Sequence, residues 1–130
     1  MDKKFCTQYD KIDLEQRRKF IRIAPHTHIY VNNFNTISNK SFEIIQCRMI
    51  NISANGLVFN VNVDFAENDY IQTIFKLKET VFNLKSKIIR KYINENSGYN
   101  YGVEFYVIKD SVRDSLSKCI KTILNSNDFS

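Results

Sequence analysis

Short apolar runs separated by polar turns fill the chain from Phe20 onward. The clearest run extends from Leu57 to Asp64, where every second residue is apolar, as in a strand with one buried face. A second run, residues 41–52, alternates imperfectly, which a β-bulge or burial of both faces explains. Similar runs at short spacing predict six strands in total, over residues 29–34, 41–52, 57–64, 70–77, 82–93 and 99–108. The pattern therefore predicts a mainly β fold, a small antiparallel barrel or sandwich.

The last segment changes period and predicts a C-terminal helix over residues 111–125. Its apolar residues recur at helical spacing and form one stripe: Val112, Leu116, Cys119, Ile120 and Ile123. Because so short a helix is unstable alone in water, the stripe must pack on the barrel or on a partner. The rest of the chain is predicted to divide into an N-terminal arm over residues 1–14 and a barrel domain over residues 15–110.

Composition narrows the class of protein. The chain has 130 residues, 43% of them hydrophobic, with only 3 Gly and 1 Pro. These values fit one compact domain and exclude collagen-like and low-complexity chains. A net charge of +5 favours anionic partners without identifying one.

Cysteine and histidine usage gives little support for a metal site or for catalysis. The three cysteines are scattered without a CxxC pair, and His26 and His28 have no third ligand nearby. With two histidines, almost adjacent, no catalytic triad can be proposed. The charged N-terminus is unlike a secretory signal, and no run of roughly 20 apolar residues could span a membrane. We expect a cytoplasmic binding module with reduced thiols, no cofactor and no enzymatic activity.

Two short motifs carry the functional signal. Arg17-Arg18-Lys19-Phe20-Ile21-Arg22 places four cations at the start of the apolar region and contains the pattern RxxxR, and residues 51–56 read Asn-Ile-Ser-Ala-Asn-Gly, the pattern NxSxxG. Alone, the first is usually a solvated basic face and the second a structural turn. Their order and their separation of about thirty residues make the pair specific.

Together the motifs resemble the paired signature of the PilZ family. The similarity extends to the entry segment 15–23, to Gly56-Leu57-Val58-Phe59 and to Tyr101-Gly102-Val103-Glu104-Phe105, and so covers about residues 15–108. It departs mildly at Ile21, where a Pro is common, and at Asn51, where Asp is the alternative. The resemblance implies a six-stranded antiparallel PilZ-like β-barrel that binds the bacterial second messenger cyclic di-GMP.

The motif residues suit this ligand chemically. Guanidinium groups bind phosphates and the O6/N7 edge of guanine with paired hydrogen bonds, so Arg18 and Arg22 are the leading candidates and Arg17 the next. On the barrel side, Asn51 can donate and accept toward a base edge, and Ser53 offers a hydroxyl. Gly56 permits positive φ and close backbone approach.

The leading hypothesis is thus a cyclic di-GMP receptor in which the ligand orders the RxxxR arm and alters the surface offered to an unidentified downstream effector protein. The alternative is a small basic β-barrel that binds single-stranded nucleic acid, with Tyr99 and Tyr101 as stacking platforms rather than simple rim aromatics. Lys85, Lys87, Arg90 and Lys91 form a predicted exposed basic face, and extension of an anion-binding surface is the less favoured interpretation of it. A third possibility is a family member that acts as an adaptor without binding nucleotide, although retention of both motifs argues against it.

Overall fold

The computed structural model describes residues 21–32, 44–106 and 108–126. The predicted arm over residues 1–14, Arg17 and Arg18 lie outside these ranges. The described chain forms six strands and one helix: β1 His28–Asn32, β2 Ile45–Ile52, β3 Gly56–Val61, β4 Tyr70–Leu77, β5 Thr80–Asn94, β6 Gly98–Phe105 and α1 Asp110–Ser126. Each of the six predicted strands is present, and the ends that can be compared are shifted by a few residues at most. The predicted ends at residues 33–34 and 41–43 lie outside the described ranges.

The strands close into a barrel in the order β1-β2-β3-β6-β5-β4, and every neighbouring pair is antiparallel. The register shifts between Met49 and Asn51 in β2 and again between Ile88 and Arg90 in β5. The first shift is the bulge that the imperfect alternation in this region allowed, because an extra residue reverses which side chains point inward. The predicted six-stranded antiparallel barrel is confirmed.

Alternate residues of the strands fill the interior. Leu57, Phe59 and Val61 of β3 are buried, as the alternation predicts, whereas Val63 lies beyond the end of the strand and is only partly buried. Phe75 stacks against Phe82, with 5.4 Å between ring centroids. Cys47 is also buried, and loss of hydration raises the pKa of its thiol from 9.0 to about 12. This cysteine is therefore a neutral core group.

Helix α1 packs on the barrel through its apolar stripe. Leu116, Ile120 and Ile123 are buried in the same cluster as the strand residues, and Val112 and Cys119 lie partly buried against that cluster. Each fully buried aliphatic side chain contributes roughly 1.5–3 kcal/mol. The prediction left open whether the stripe packs on the barrel or on a partner, and the structure shows that it packs on the barrel.

Tyr101 corrects the prediction of a barrel-rim aromatic. It faces Phe59 across the β3–β6 ladder and is 0% exposed. Its hydroxyl donates to Val63 O at 2.6 Å and accepts from Phe65 N at 2.7 Å, and burial raises its pKa. Tyr101 and Val103 both point into the core, and Gly102 between them takes the outward position.

Candidate functional site

The two sequence motifs meet at the end of β2. Ile23 and Ile52 form an isolated antiparallel bridge with two backbone hydrogen bonds, Ile23 N to Ile52 O at 3.0 Å and Ile52 N to Ile23 O at 2.9 Å. Next to this bridge, Arg22 Nη1 donates to Asn51 Oδ1 at 2.9 Å. The last arginine of RxxxR is therefore bonded directly to the first residue of NxSxxG.

Burial of the bridge residues explains why Arg22 and Asn51 point outward. Ile23 and Ile52 lie in the core, and Ile21 packs against the core from its edge. Since side chains alternate along extended backbone, Arg22 is directed to the outer surface, where it is exposed. Asn51 lies on the same surface and is half-buried.

Ser53 closes the turn that follows. Its backbone N donates to Gly56 O at 2.9 Å, its hydroxyl lies 3.4 Å from the same oxygen, and that hydroxyl accepts from Asn55 N at 3.2 Å. The residue is only 2% exposed. The structure thus gives Ser53 a role in the turn, and its predicted contact with ligand stays a prediction.

Gly56 lets the turn lie close to β6. A Cβ at this position would be 2.1 Å from Val103 O, a distance that no side chain tolerates. Among the described glycines only Gly98 has positive φ, so Gly56 is required by the close approach and not by a left-handed backbone. Phe105 N also donates to Asn55 O at 3.0 Å, which fixes the turn against β6.

The outer surface continues from the motif across three more strands. In the ladders, Asn51 lies opposite Val58, Val58 opposite Gly102 and Gly102 opposite Arg90. Arg90 is exposed, and its Nη1 donates to the Tyr92 hydroxyl at 3.1 Å. Sequence reasoning placed Arg90 on a basic strand but did not place Gly102 or Arg90 beside the motif, because that placement depends on the bulge in β5.

A second group of cations and aromatics lies on the outer face of β4, β5 and the segment after β6. Tyr70 and Tyr106 pack edge to face with centroids 4.9 Å apart. Lys85 Nζ lies 5.2 Å from the Tyr106 centroid, and Lys87 Nζ lies 5.8 Å from the Tyr70 centroid. We call Tyr70, Lys85, Lys87 and Tyr106 the lysine–tyrosine cluster.

The predicted exposed basic strand is only partly exposed. Lys85 and Arg90 are exposed, whereas Lys87 and Lys91 are half-buried. Lys91 bonds to the carboxylate of Asp64, which raises the pKa of Lys91, and its ammonium lies 4.8 Å from the Tyr99 centroid. One of the predicted platforms for nucleic acid, Tyr99, is therefore partly buried and covered by a cation.

Within residues 21–32, 44–106 and 108–126, no group of three or more His, Cys, Asp or Glu residues could hold a metal ion. The helix of residues 110–126 is too short and too polar to span a bilayer, and the described part of the chain has no other candidate.

The fold is a six-stranded antiparallel barrel with a packed C-terminal helix, and the sequence matches the family model of the PilZ domain over residues 16–122. The chain belongs to the PilZ domain family. No curated protein sequence matches it.

Solved structures share the fold at low sequence identity. The Bacillus subtilis inhibitor of motility, MotI/DgrA, is 19% identical with a TM-score of 0.66, and the match covers 85% of this chain and 53% of that one. Escherichia coli YcgR, solved in complex with c-di-GMP, is 16% identical with a TM-score of 0.67, over 85% of this chain and 47% of that one. The chain thus spans about half the length of these two proteins.

The isolated PilZ domain of Escherichia coli YcgR, solved with c-di-GMP, gives a nearly complete match. It is 16% identical with a TM-score of 0.62, and the match covers 86% of this chain and 95% of that one.

Proposed function

We propose that this chain is a receptor for cyclic di-GMP and not an enzyme. The observation that carries the proposal is the hydrogen bond between Arg22 and Asn51, which joins the two ligand-binding motifs of the family on one outer surface of the barrel. Family membership and the c-di-GMP complexes of structural neighbours support the same ligand.

The geometry at Arg22 suits an anionic ligand with purine bases. A guanidinium group has five N–H donors, and among the described residues Arg22 uses one of them on Asn51. The others are available to a phosphate or to the O6/N7 edge of guanine. The same bond orients the Asn51 side chain, whose amide NH₂ can donate to a base or phosphate oxygen.

Arg17 and Arg18 complete the proposed site from the arm. They precede Arg22 by five and four residues, a separation short enough for them to reach a ligand bound at Arg22. In the proposed complex they bind the phosphates or stack on a guanine face, and Ser53 and Gly56 form the opposite wall. The ligand would order the arm and change the surface presented to a downstream effector protein.

Calorimetric titration with cyclic di-GMP tests the proposed ligand. We expect binding by the unaltered protein and at least about a 10-fold loss for Arg22→Gln, since a charge-assisted hydrogen bond contributes roughly 1.5–3 kcal/mol. Lys76→Gln removes an equal charge from exposed β4 surface and is the matched control. No binding by the unaltered protein, or equal affinity in Arg22→Gln and Lys76→Gln, would overturn the proposal.

Hydrogen exchange tests the ordering of the arm. Saturating cyclic di-GMP should slow amide exchange in peptides covering residues 1–20, and should leave peptides from α1 unchanged. The Arg18→Gln variant should weaken both the affinity and the protection. Unchanged exchange over residues 1–20 at saturation would contradict the arm mechanism while leaving the ligand assignment intact.

The lysine–tyrosine cluster is the observation that favours the alternative, a single-stranded nucleic acid binder. Cations beside aromatic rings are typical of such surfaces. Full burial of Tyr101 counts against it, because a buried ring cannot stack a base. Filter binding with RNA and DNA oligonucleotides separates the two functions: the receptor predicts weak retention that vanishes at moderate salt, and tight retention lost in a Lys85→Gln, Lys87→Gln double variant would favour the alternative.

A further inference from the structure

The lysine–tyrosine cluster contains a half-buried cation that has no acidic partner among the described residues. Two other lysines of β4 and β5 have one: Lys76 lies 4.0 Å from Glu79, and Lys91 bonds to Asp64. Lys87 is half-buried, yet within residues 21–32, 44–106 and 108–126 no carboxylate oxygen lies within 4.0 Å of its ammonium. Because burial of an unpaired charge costs free energy, Lys87 is suited to an anion supplied from outside the chain.

Two tyrosine rings hold the lysine ammoniums of the cluster in place. Lys87 Nζ lies 5.8 Å from the centroid of Tyr70. Lys85 Nζ lies 5.6 Å from that centroid and 5.2 Å from the centroid of Tyr106. The two rings pack edge to face, and Tyr106 is 41% exposed. Since an ammonium has three N–H donors, a carboxylate can bind each lysine without displacing its present contacts.

The cluster lies far around the barrel from the paired motifs. Lys85 and Lys87 belong to β5, whereas Asn51 belongs to β2. In the closed order β1-β2-β3-β6-β5-β4, β5 is three strands from β2 in either direction, which is the largest separation that six strands allow. A molecule bound at the cluster therefore leaves Arg22 and Asn51 accessible.

The geometry favours protein carboxylates over nucleobases as the anion. Each ring of the cluster already has an ammonium within 5.8 Å of its centroid, and a base stacked on that face would displace the lysine. Lys85 and Lys87 are two residues apart on one face of a strand, a spacing of about 7 Å. Carboxylates at alternate positions of an extended chain have the same spacing. Tyrosine is also among the residues enriched in protein–protein interfaces.

We propose that the lysine–tyrosine cluster is the docking surface for an extended acidic segment of a partner protein, whose alternate carboxylates bond to Lys85 and Lys87 while its chain packs on Tyr106. Glu104 lies opposite Lys87 in the β5–β6 ladder and is exposed, so it borders the surface and repels a longer acidic run. The inference goes beyond the proposed ligand, and it rests on the proposed function only in the expectation that a receptor has an effector protein.

NMR titration with a defined probe tests the surface. The probe is a synthetic peptide in which glutamate and threonine alternate, and the matched peptide carries glutamine in place of glutamate. At low ionic strength the glutamate peptide should shift the amide signals of Tyr70, Lys85, Lys87 and Tyr106 until they saturate, and the glutamine peptide should not. Equal shifts with both peptides, or shifts confined to other residues, would overturn the proposal.

Charge variants test the two lysines. Lys85→Gln combined with Lys87→Gln should bind the glutamate peptide about 5-fold more weakly, because two surface ion pairs are lost. The matched control, Lys118→Gln combined with Lys121→Gln, removes equal charge from exposed positions of α1 and should bind as the unaltered protein does. Lys85→Arg combined with Lys87→Arg keeps the charge and should keep the affinity. Equal affinities in the two glutamine double variants would contradict the assignment.

Nucleic acid is the competing occupant, and oligodeoxythymidylate with the same number of negative charges as the peptide tests it. Weaker binding of the oligonucleotide than of the glutamate peptide supports a protein partner. Tighter binding of the oligonucleotide, with shifts of the same four signals, would make the cluster a nucleic-acid surface and overturn the proposal.

The docking surface and the proposed ligand site can fail separately. Arg22→Gln should lose cyclic di-GMP and keep the peptide, and the Lys85→Gln, Lys87→Gln double variant should do the reverse. Loss of the peptide in Arg22→Gln would place the peptide on the ligand site and overturn the docking surface. If the unaltered protein binds the peptide and not cyclic di-GMP, the proposed function fails and the docking surface stands.

Discussion

The turn between β2 and β3 and the hairpin between β5 and β6 use the same residue types, Asn, Ser and Gly, yet their polar groups have different partners. In the first, Asn51 extends from the barrel to the exposed Arg22. In the second, Asn60 of β3 reaches across to the hairpin, and the two hydrogens of its amide nitrogen are shared among three acceptors: Ser97 O at 2.9 Å, Tyr99 O at 3.2 Å and Asn100 Oδ1 at 2.9 Å. These hairpin groups therefore bond to a buried residue of the neighbouring strand.

This difference shows how a binding turn is told from a structural one. Asn60 is buried, and its amide nitrogen bonds to groups of the β5–β6 hairpin and of β6. Asn51 is half-buried, and its partner is an exposed cation on a separate segment. Residue composition identifies residues 53–55 and 95–97 as turns but does not distinguish their roles. Only the bonding partners separate a surface that can bind from one that holds the barrel together.

Gly56→Ala should have the largest effect on stability. Its Cβ would lie 2.1 Å from Val103 O, so β3 and β6 must separate, and overpacking of this kind costs about 3 kcal/mol of unfolding free energy. Urea denaturation measures the loss. A stability equal to that of the unaltered protein would show that the close approach is not essential to the binding turn.

Gly98→Ala should be the next most damaging, because the hairpin glycine is required for a different reason. Its φ of 82° is left-handed, and its would-be Cβ lies 2.7 Å from Val61 O and Asn62 Cα. Left-handed backbone and contact together cost about 2 kcal/mol. Affinity for cyclic di-GMP, measured on the folded fraction, should be unchanged, and a loss of affinity here would erase the distinction between the two turns.

Asn60→Ala should lower the unfolding free energy by about 1–2 kcal/mol, because it removes the amide that Ser97 O and Tyr99 O accept from. Faster hydrogen exchange at residues 94–100 should accompany this loss. Cyclic di-GMP should bind as before. If the ligand affinity falls instead, the hairpin end belongs to the binding surface.

Asn51→Ala should have the smallest effect on stability and the clearest effect on binding. The bond it removes is exposed, so the unfolding free energy should change by less than about 0.5 kcal/mol. Calorimetry should show about a 10-fold loss of cyclic di-GMP affinity. Asn125→Ala, on the exposed end of α1, is the matched control, and equal affinities in the two variants would contradict the role assigned to Asn51.

Much of the fold follows from local pattern. The alternation of residues 57–64 and 70–77 predicts β3 and β4 with the correct buried faces, and the stripe from Val112 to Ile123 predicts α1. The pairing of Arg22 with Asn51 accords with the motif resemblance. These features depend on periods and spacings that the sequence displays directly.

The outer row from Asn51 to Arg90 could not be predicted, because it depends on two bulges. A shift of one residue moves every later side chain to the other face, and neither the bulge before Asn51 nor the one before Arg90 has a unique sequence signal. The inward orientation of Tyr101 was missed for a related reason: alternation relates Tyr99 to Tyr101 without showing which face is interior. The glycine at position 102 is the one local feature of the sequence that indicates which face of β6 is interior, because its neighbours Tyr101 and Val103 are both buried.

The bridge between Ile23 and Ile52 also sets a length. Because two hydrogen bonds fasten the chain at Ile23, any motion of the arm is that of a tethered segment whose fixed end is known. Arg18 lies five residues from this anchor, which limits its reach to roughly 17 Å in fully extended chain. A ligand on the barrel would therefore meet the arm's arginines at an effective concentration in the millimolar range, roughly as for other short linkers, and not at the concentration of the protein in solution. Lengthening the segment between Arg18 and Ile21 would therefore lower that effective concentration.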